Sequence, residues 1–139
     1  MGAVTSGYSG TPLATKLGIK SGSRVAAIAA PDDLGRLLEP LPEGVTLRTS
    51  LRGHADVVVL FTTARAMLER RFAAAARAIF PDGGLWVAWP KRMSGVPTDM
   101  TEDVVRAVAL PRGLVDNKVC AIDVVWSGLR VVWRRENRG

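Results

Sequence analysis

The sequence is poor in the residues on which most enzyme chemistry is built: it has one cysteine, Cys120, and one histidine, His54. A lone cysteine cannot close an internal disulfide or build a cysteine-ligated metal cluster, and it suits a reducing compartment. No metal site is expected. No apolar run approaches the roughly 18 residues of a membrane helix, and "MGAVTSGYSG" lacks a charged-then-apolar leader pattern, so the expected location is the cytoplasm with no membrane partner. The GxxxxGK[ST] phosphate loop, the HExxH zinc motif and the GxSxG nucleophile elbow are all missing. His54, in "LRGHAD", precedes a strand and so falls on the wrong edge of a sheet for a catalytic triad. Cys120 is expected at the start of a strand on an apolar face, as a small core residue. No catalytic residue is assigned.

What is present describes a globular chain. With 139 residues, 47% hydrophobic and 23% charged, one domain over 1–139 is expected, with 1–10 as an N-terminal arm around Tyr8. The formal net charge is +6, from 15 arginines and four lysines against 13 acids. The arginines are scattered, densest at Arg70-Arg71 and Arg134-Arg135. That dispersion favours a solvated basic surface over a nucleic-acid partner.

Along the chain, "TPLATKLG" carries helix signals: Thr11 as N-cap, Pro12 in the first turn and Gly18 past the end. "RVAAIAA" reads as a buried parallel strand, "DDLGRLLEPL" as a weak helix capped by Asp32 or Asp33, and "GVTLRTSL" as an edge strand. "ADVVVLFTT" is the clearest buried strand. Over 64–80, Leu68, Phe72, Ala75 and Ile79 recur at helical spacing, with Thr62 or Thr63 available as a cap. "LWVAWP" is a fourth strand whose Trp86 and Trp89 must face opposite layers. In "TEDVVRAVAL", Thr101 can cap while Glu102 and Asp103 complement the helix dipole.

The tail "VCAIDVVWSGLRVVWRR" suggests a hairpin with a Ser127-Gly128 turn. That register gathers Cys120, Ile122, Val124, Trp126, Leu129, Val131 and Trp133 on one apolar face. It sets Asp123 opposite Val132, with Arg130 and Arg134 as diagonal charge partners. Trp126 and Trp133, if left uncovered, would support a homo-oligomer through the hairpin.

The order of elements implies an α/β, Rossmann-like three-layer sandwich: a mostly parallel six-stranded sheet ending in an antiparallel C-terminal hairpin. "GIKSGSRV", "ADVVVLF", "PDGGLWVAWPK" and the closing hairpin, across 16–135, resemble the succession in class I S-adenosylmethionine-dependent methyltransferases. "YSGTPLATKLGIK", "WVAWPK", "GVPTDMTEDVVR" and "GLVDNKVCAIDVVWSGLR" are similar to a family of short bacterial proteins known only as a domain of unknown function. That second likeness spans nearly the whole chain and implies no activity.

The cofactor turn of such folds needs glycines, so that backbone N–H groups can approach the ligand. Here the turn is "AAPDDLG". Pro31 has no N–H, and Asp32 and Asp33 repel a pyrophosphate. The second strand ends with Arg48 and no acid for a ribose. No cofactor is therefore expected. The strand carboxyl ends still bring Asp32, Thr62, Thr63, Lys91, Arg92 and Ser94 toward one crevice, where Lys91 and Arg92 suit a small anionic ligand. The expected role is a non-enzymatic binding or interaction module for a protein partner or small anion. A degenerate methyltransferase-like enzyme with a non-standard cofactor pose is the alternative, and nucleic-acid binding through the basic surface is a weaker one.

Overall fold

Residues 11–139 are described by the computed structural model; the arm over 1–10, Tyr8 included, lies outside them. Six strands form one sheet: β1 (Arg24–Ile28), β2 (Thr46–Arg48), β3 (Val57–Phe61), β4 (Gly84–Pro90), β5 (Leu114–Ala121) and β6 (Trp126–Trp133). Their spatial order is β2-β1-β3-β4-β6-β5. β2, β1, β3 and β4 run parallel, and β6 is antiparallel to both β4 and β5. The Rossmann-like α/β architecture with an antiparallel C-terminal pair is as the sequence implies. Among the described residues no helix is long and apolar enough to cross a membrane.

Two helices cover each face. α3 (Arg65–Ile79) and α4 (Glu102–Ala109) lay Leu68, Phe72, Ala75, Ile79, Val105 and Val108 on Val58, Leu60, Leu85, Val87, Leu129 and Val131. The short α1 (Leu13–Lys16) and α2 (Leu34–Leu37) cover the other face, with Leu17, Leu34 and Leu38 against Val25, Val59, Phe61 and Trp86. Every residue of β3 and β4 is buried, which explains why both read as unbroken apolar runs. Trp86 and Trp89 do face opposite layers.

The helix ends differ from expectation at three places. Pro12, not Thr11, takes the N-cap position of α1, and no side chain caps it. Asp33 takes that position for α2 without a capping bond. At α3 neither Thr62 nor Thr63 caps: Ala64 is the N-cap residue, and the Arg65 N–H donates to Asp99 Oδ1 at 2.8 Å. This is a cap supplied from 34 residues away, invisible to any local motif. Thr101 caps α4 as expected, accepting from the Val104 N–H. The first-turn acids do more than meet the dipole. Glu102 and Asp103 both accept from Arg106, which also reaches Asp116 on β5 at 3.0 Å and so ties helix to strand.

The hairpin register is the main correction. The turn spans 122–125, and Ser127 and Gly128 lie inside β6, paired with Ala121 and Cys120. Two causes outweigh the Ser-Gly signal. A Cβ on Gly128 would stand 3.1 Å from the Trp86 ring and 3.3 Å from Ile122, so this glycine serves close packing inside a strand. Asp123 makes the turn instead: its Oδ1 accepts from the N–H groups of Val125 at 2.8 Å and Trp126 at 2.7 Å, the local bonding that places aspartate in turns. The expected single apolar face is consequently split. Leu129, Val131 and Trp133 join the α3/α4 core, whereas Cys120, Ile122 and Trp126 join the α1/α2 core. Val132 pairs with Val115, so no Asp123 cross-strand charge pair with Arg130 or Arg134 exists. Trp126 and Trp133 are each partly covered and make no common exposed pair.

Replacing Asp123 by Ala removes both turn bonds and should destabilise the chain by about 1–2 kcal/mol, with Asp123→Asn losing less. Urea unfolding checks this; equal stability of Ala and wild type would show that the turn does not need the acceptor.

Candidate functional site

The carboxyl edge of the parallel strands is where the sequence placed a crevice. The loop after β1 begins at Ala29, whose φ of 57 is the only positive value on a non-glycine residue among those described. A left-handed turn therefore stands where the fold calls for glycine, but it carries a Cβ, and the next N–H but one is removed by Pro31. Asp32 and Asp33 follow, both exposed.

The other predicted residues are mostly engaged with the protein itself. Thr62 is 1% exposed, and its hydroxyl donates to the Ala64 carbonyl at 2.8 Å. The Thr63 carbonyl accepts from the Thr98 hydroxyl at 2.6 Å. Lys91 Nζ donates to the Asp123 carbonyl and its N–H to the Val125 carbonyl, both at 2.7 Å, so Lys91 fastens the hairpin turn to the end of β4. The Ser94 hydroxyl donates back to the Lys91 carbonyl at 2.7 Å. Arg92 and Asp32 are exposed. All six residues lie at the same edge, after β1, β3 and β4. Arg48, at the end of β2, donates to the carbonyls of Ser50, Gly53 and His54 and so holds the crossover loop rather than a ligand. Behind them the T-shaped Phe61–Trp126 pair, with centroids 5.0 Å apart, packs the carboxyl end of β3 against the start of β6.

A concavity lies at the opposite, amino edge. It has a volume of about 510 Å³ and is lined by Lys16, Lys20, Asp56, Asp82, Lys118 and Arg130, with Gly18, Gly22 and Gly83 among the backbone contributors. Periodicity did not point to it, because Lys118 and Arg130 face each other only once the hairpin register is known. Nearby, Cys120 sits close to the end of β5, not at a strand start, and is half-buried. His54, at this edge, has Nδ1 3.9 Å from Asp56 Oδ1. Among the described residues no group of three or more His, Cys, Asp or Glu is placed to hold a metal.

The sequence matches no family model and no curated protein. Solved structures do match. A SAM-dependent methyltransferase from Aquifex aeolicus superposes with a TM-score of 0.59 at 12% identity, over 86% of each chain. The magnesium protoporphyrin IX methyltransferase of Synechocystis PCC 6803, with bound SAH, gives 0.58 at 14% identity, over 82% of this chain and 75% of that one. A tRNA methyltransferase of B. subtilis gives 0.53 at 12%, over 88% and 65%. The fold is methyltransferase-like. At these identities the likeness extends to architecture and leaves the site to its own residues.

Two outcomes follow from the site geometry. An alanine held in the left-handed region costs about 1 kcal/mol relative to glycine, so Ala29→Gly should raise stability by up to that amount in urea unfolding; a loss of stability would show that the turn is not strained. Burial pushes the Cys120 thiol up, while Lys16 and Lys118 pull it the other way. A raised thiol pKa contributes stability that is intact below the unfolded value of about 8.5 and is lost as pH climbs through the folded one. Cys120 should accordingly react with a disulfide reagent at pH 8 more slowly than a free thiol, and rapid labelling would contradict its burial.

Proposed function

We propose that the chain is a non-enzymatic binding module, cytoplasmic and single-domain, built on a methyltransferase-like fold whose usual cofactor turn does not admit an adenosyl group. The observation that carries this is the turn after β1, left-handed at Ala29 and followed by a residue with no N–H to offer. Two exposed carboxylates come next, where fold relatives need close backbone approach. Absence of even one charge-assisted bond weakens binding by about 1.5–3 kcal/mol, tenfold or more. The bonds made by Lys91 and Ser94 support the same reading, since these groups already serve the hairpin turn and the β4 loop.

A second reading, a methyltransferase-like enzyme with a non-standard cofactor pose, is favoured by the left-handed geometry itself, because the backbone path after β1 survives the loss of its glycine. Self-association through the hairpin would use β5, the outermost strand. There the irregular register between Asp116 and Lys118 and the Lys118 charge both oppose strand addition.

Calorimetric titration with S-adenosylmethionine and S-adenosylhomocysteine separates the two readings. No saturable binding is expected up to about 1 mM; a dissociation constant below about 100 µM, worth roughly −5.5 kcal/mol, would establish the enzyme reading instead.

A further inference from the structure

The amino-edge cleft has a charge pattern that the fold does not need. Lys118 and Arg130 are cross-strand register partners, and both line the cavity. Like charges placed directly opposite destabilise a strand pair. Among the described residues no ion pair involves either side chain, and no hydrogen bond is made by the Arg130 guanidinium. Lys16 at the end of α1 and Lys20 in the turn after it add two further cations to the lining. The acids do not balance them: four cations, Lys16, Lys20, Lys118 and Arg130, line the cavity against two carboxylates, Asp56 and Asp82. Burial pushes the Arg130 pKa down, and the charge of Arg138 adds to that, the signature of a cation without a counter-charge.

The seat for Arg130 is built into the strand beside it. A Cβ on Gly84 would overlap the guanidinium, so the missing side chain lets Arg130 lie against β4 and fixes it at the cavity wall. A guanidinium offers paired donors to a phosphate, and an adjacent ammonium adds a point charge. The volume of about 510 Å³ falls within the range of small-molecule sites, roughly 300–1,000 Å³, and leaves room for an organic body beyond the phosphate. A concave group of cations suits a compact anion better than a duplex, which needs a basic stripe along an open face.

We propose that this cleft binds a small phosphorylated metabolite, its phosphate held between Arg130 and Lys118. The cleft is on the opposite edge of the sheet from the cofactor turn, so it stands or falls independently of whether that turn admits an adenosyl group.

Calorimetric titration of the full chain with pyrophosphate and with ADP, at constant ionic strength, tests the proposal. Saturable binding of at least one is expected, weakened about tenfold or more by Lys118→Met and by Arg130→Met and unchanged by Arg77→Met on the far face. Lys118→Glu supplies a second readout that does not depend on the ligand. By turning a repelling pair into an attracting one, it should raise the urea midpoint of the free protein while abolishing binding. The proposal is overturned by no saturable binding of either ligand, by retained affinity in the Lys118 and Arg130 variants, or by a lowered or unchanged midpoint for Lys118→Glu. Binding of duplex DNA alone, with steep salt dependence, would overturn it in favour of a nucleic-acid surface.

Discussion

Trp86 sits in the middle of the sheet with no exposed surface, and two separate parts of the chain, α1 and β6, are placed by it. Its indole N–H donates to the Leu17 carbonyl at 3.0 Å, which satisfies a helix-end acceptor and holds α1 against the sheet. Its ring lies over Gly128, so β6 passes close by at a position where a Cβ would stand only 3.1 Å from the ring. Its register partner on β6 is Arg130, which places the guanidinium just beyond the indole at the amino edge. Burying so large a ring contributes more than the roughly 1.5–3 kcal/mol of an aliphatic side chain. The hydrogen bond makes that burial directional.

From this centre the two edges of the sheet acquire different characters. At the carboxyl edge most polar groups are used by the protein, Asp32, Asp33 and Arg92 remaining exposed: Lys91 and Asp123 fasten the hairpin turn, Asp99 caps α3, and Thr62 and Thr98 bond to main-chain carbonyls. At the amino edge cations prevail, since Lys16, Lys20, Lys118 and Arg130 line a cavity whose acids are Asp56 and Asp82. Because unpaired charges near one another raise the free energy of the folded state unless something binds, an edge that is satisfied internally and an edge that is not represent different capacities for ligands. A methyltransferase-like architecture therefore does not by itself say which edge is used.

Several elements were legible in the residues alone. β3 and β4 announce themselves because burial on both faces demands unbroken apolar runs, and α3 because Leu68, Phe72, Ala75 and Ile79 repeat at the helical period. The loss of glycine after β1 was visible as well, and the structure adds that the left-handed turn persists at Ala29. The hairpin was not legible in the same way. Ser127-Gly128 carries a turn signal, but Gly128 answers to the Trp86 ring from a strand 42 residues earlier (128 − 86 = 42), and local propensity holds no information about that contact. Asp123 held the competing signal, two and three residues ahead of the amides it accepts from.

Sequence by itself determined the fold class, the burial of the central strands, the helix that follows β3 and the absence of glycine between β1 and α2, because each depends on residue type and spacing within a short window. Tertiary structure alone decided the register of β5 on β6, the long-range cap on α3 and the placing of Lys118 opposite Arg130 in that register. Those depend on distances between residues far apart in the chain, and a one-residue slip of a strand would have sent every one of its side chains to the other face.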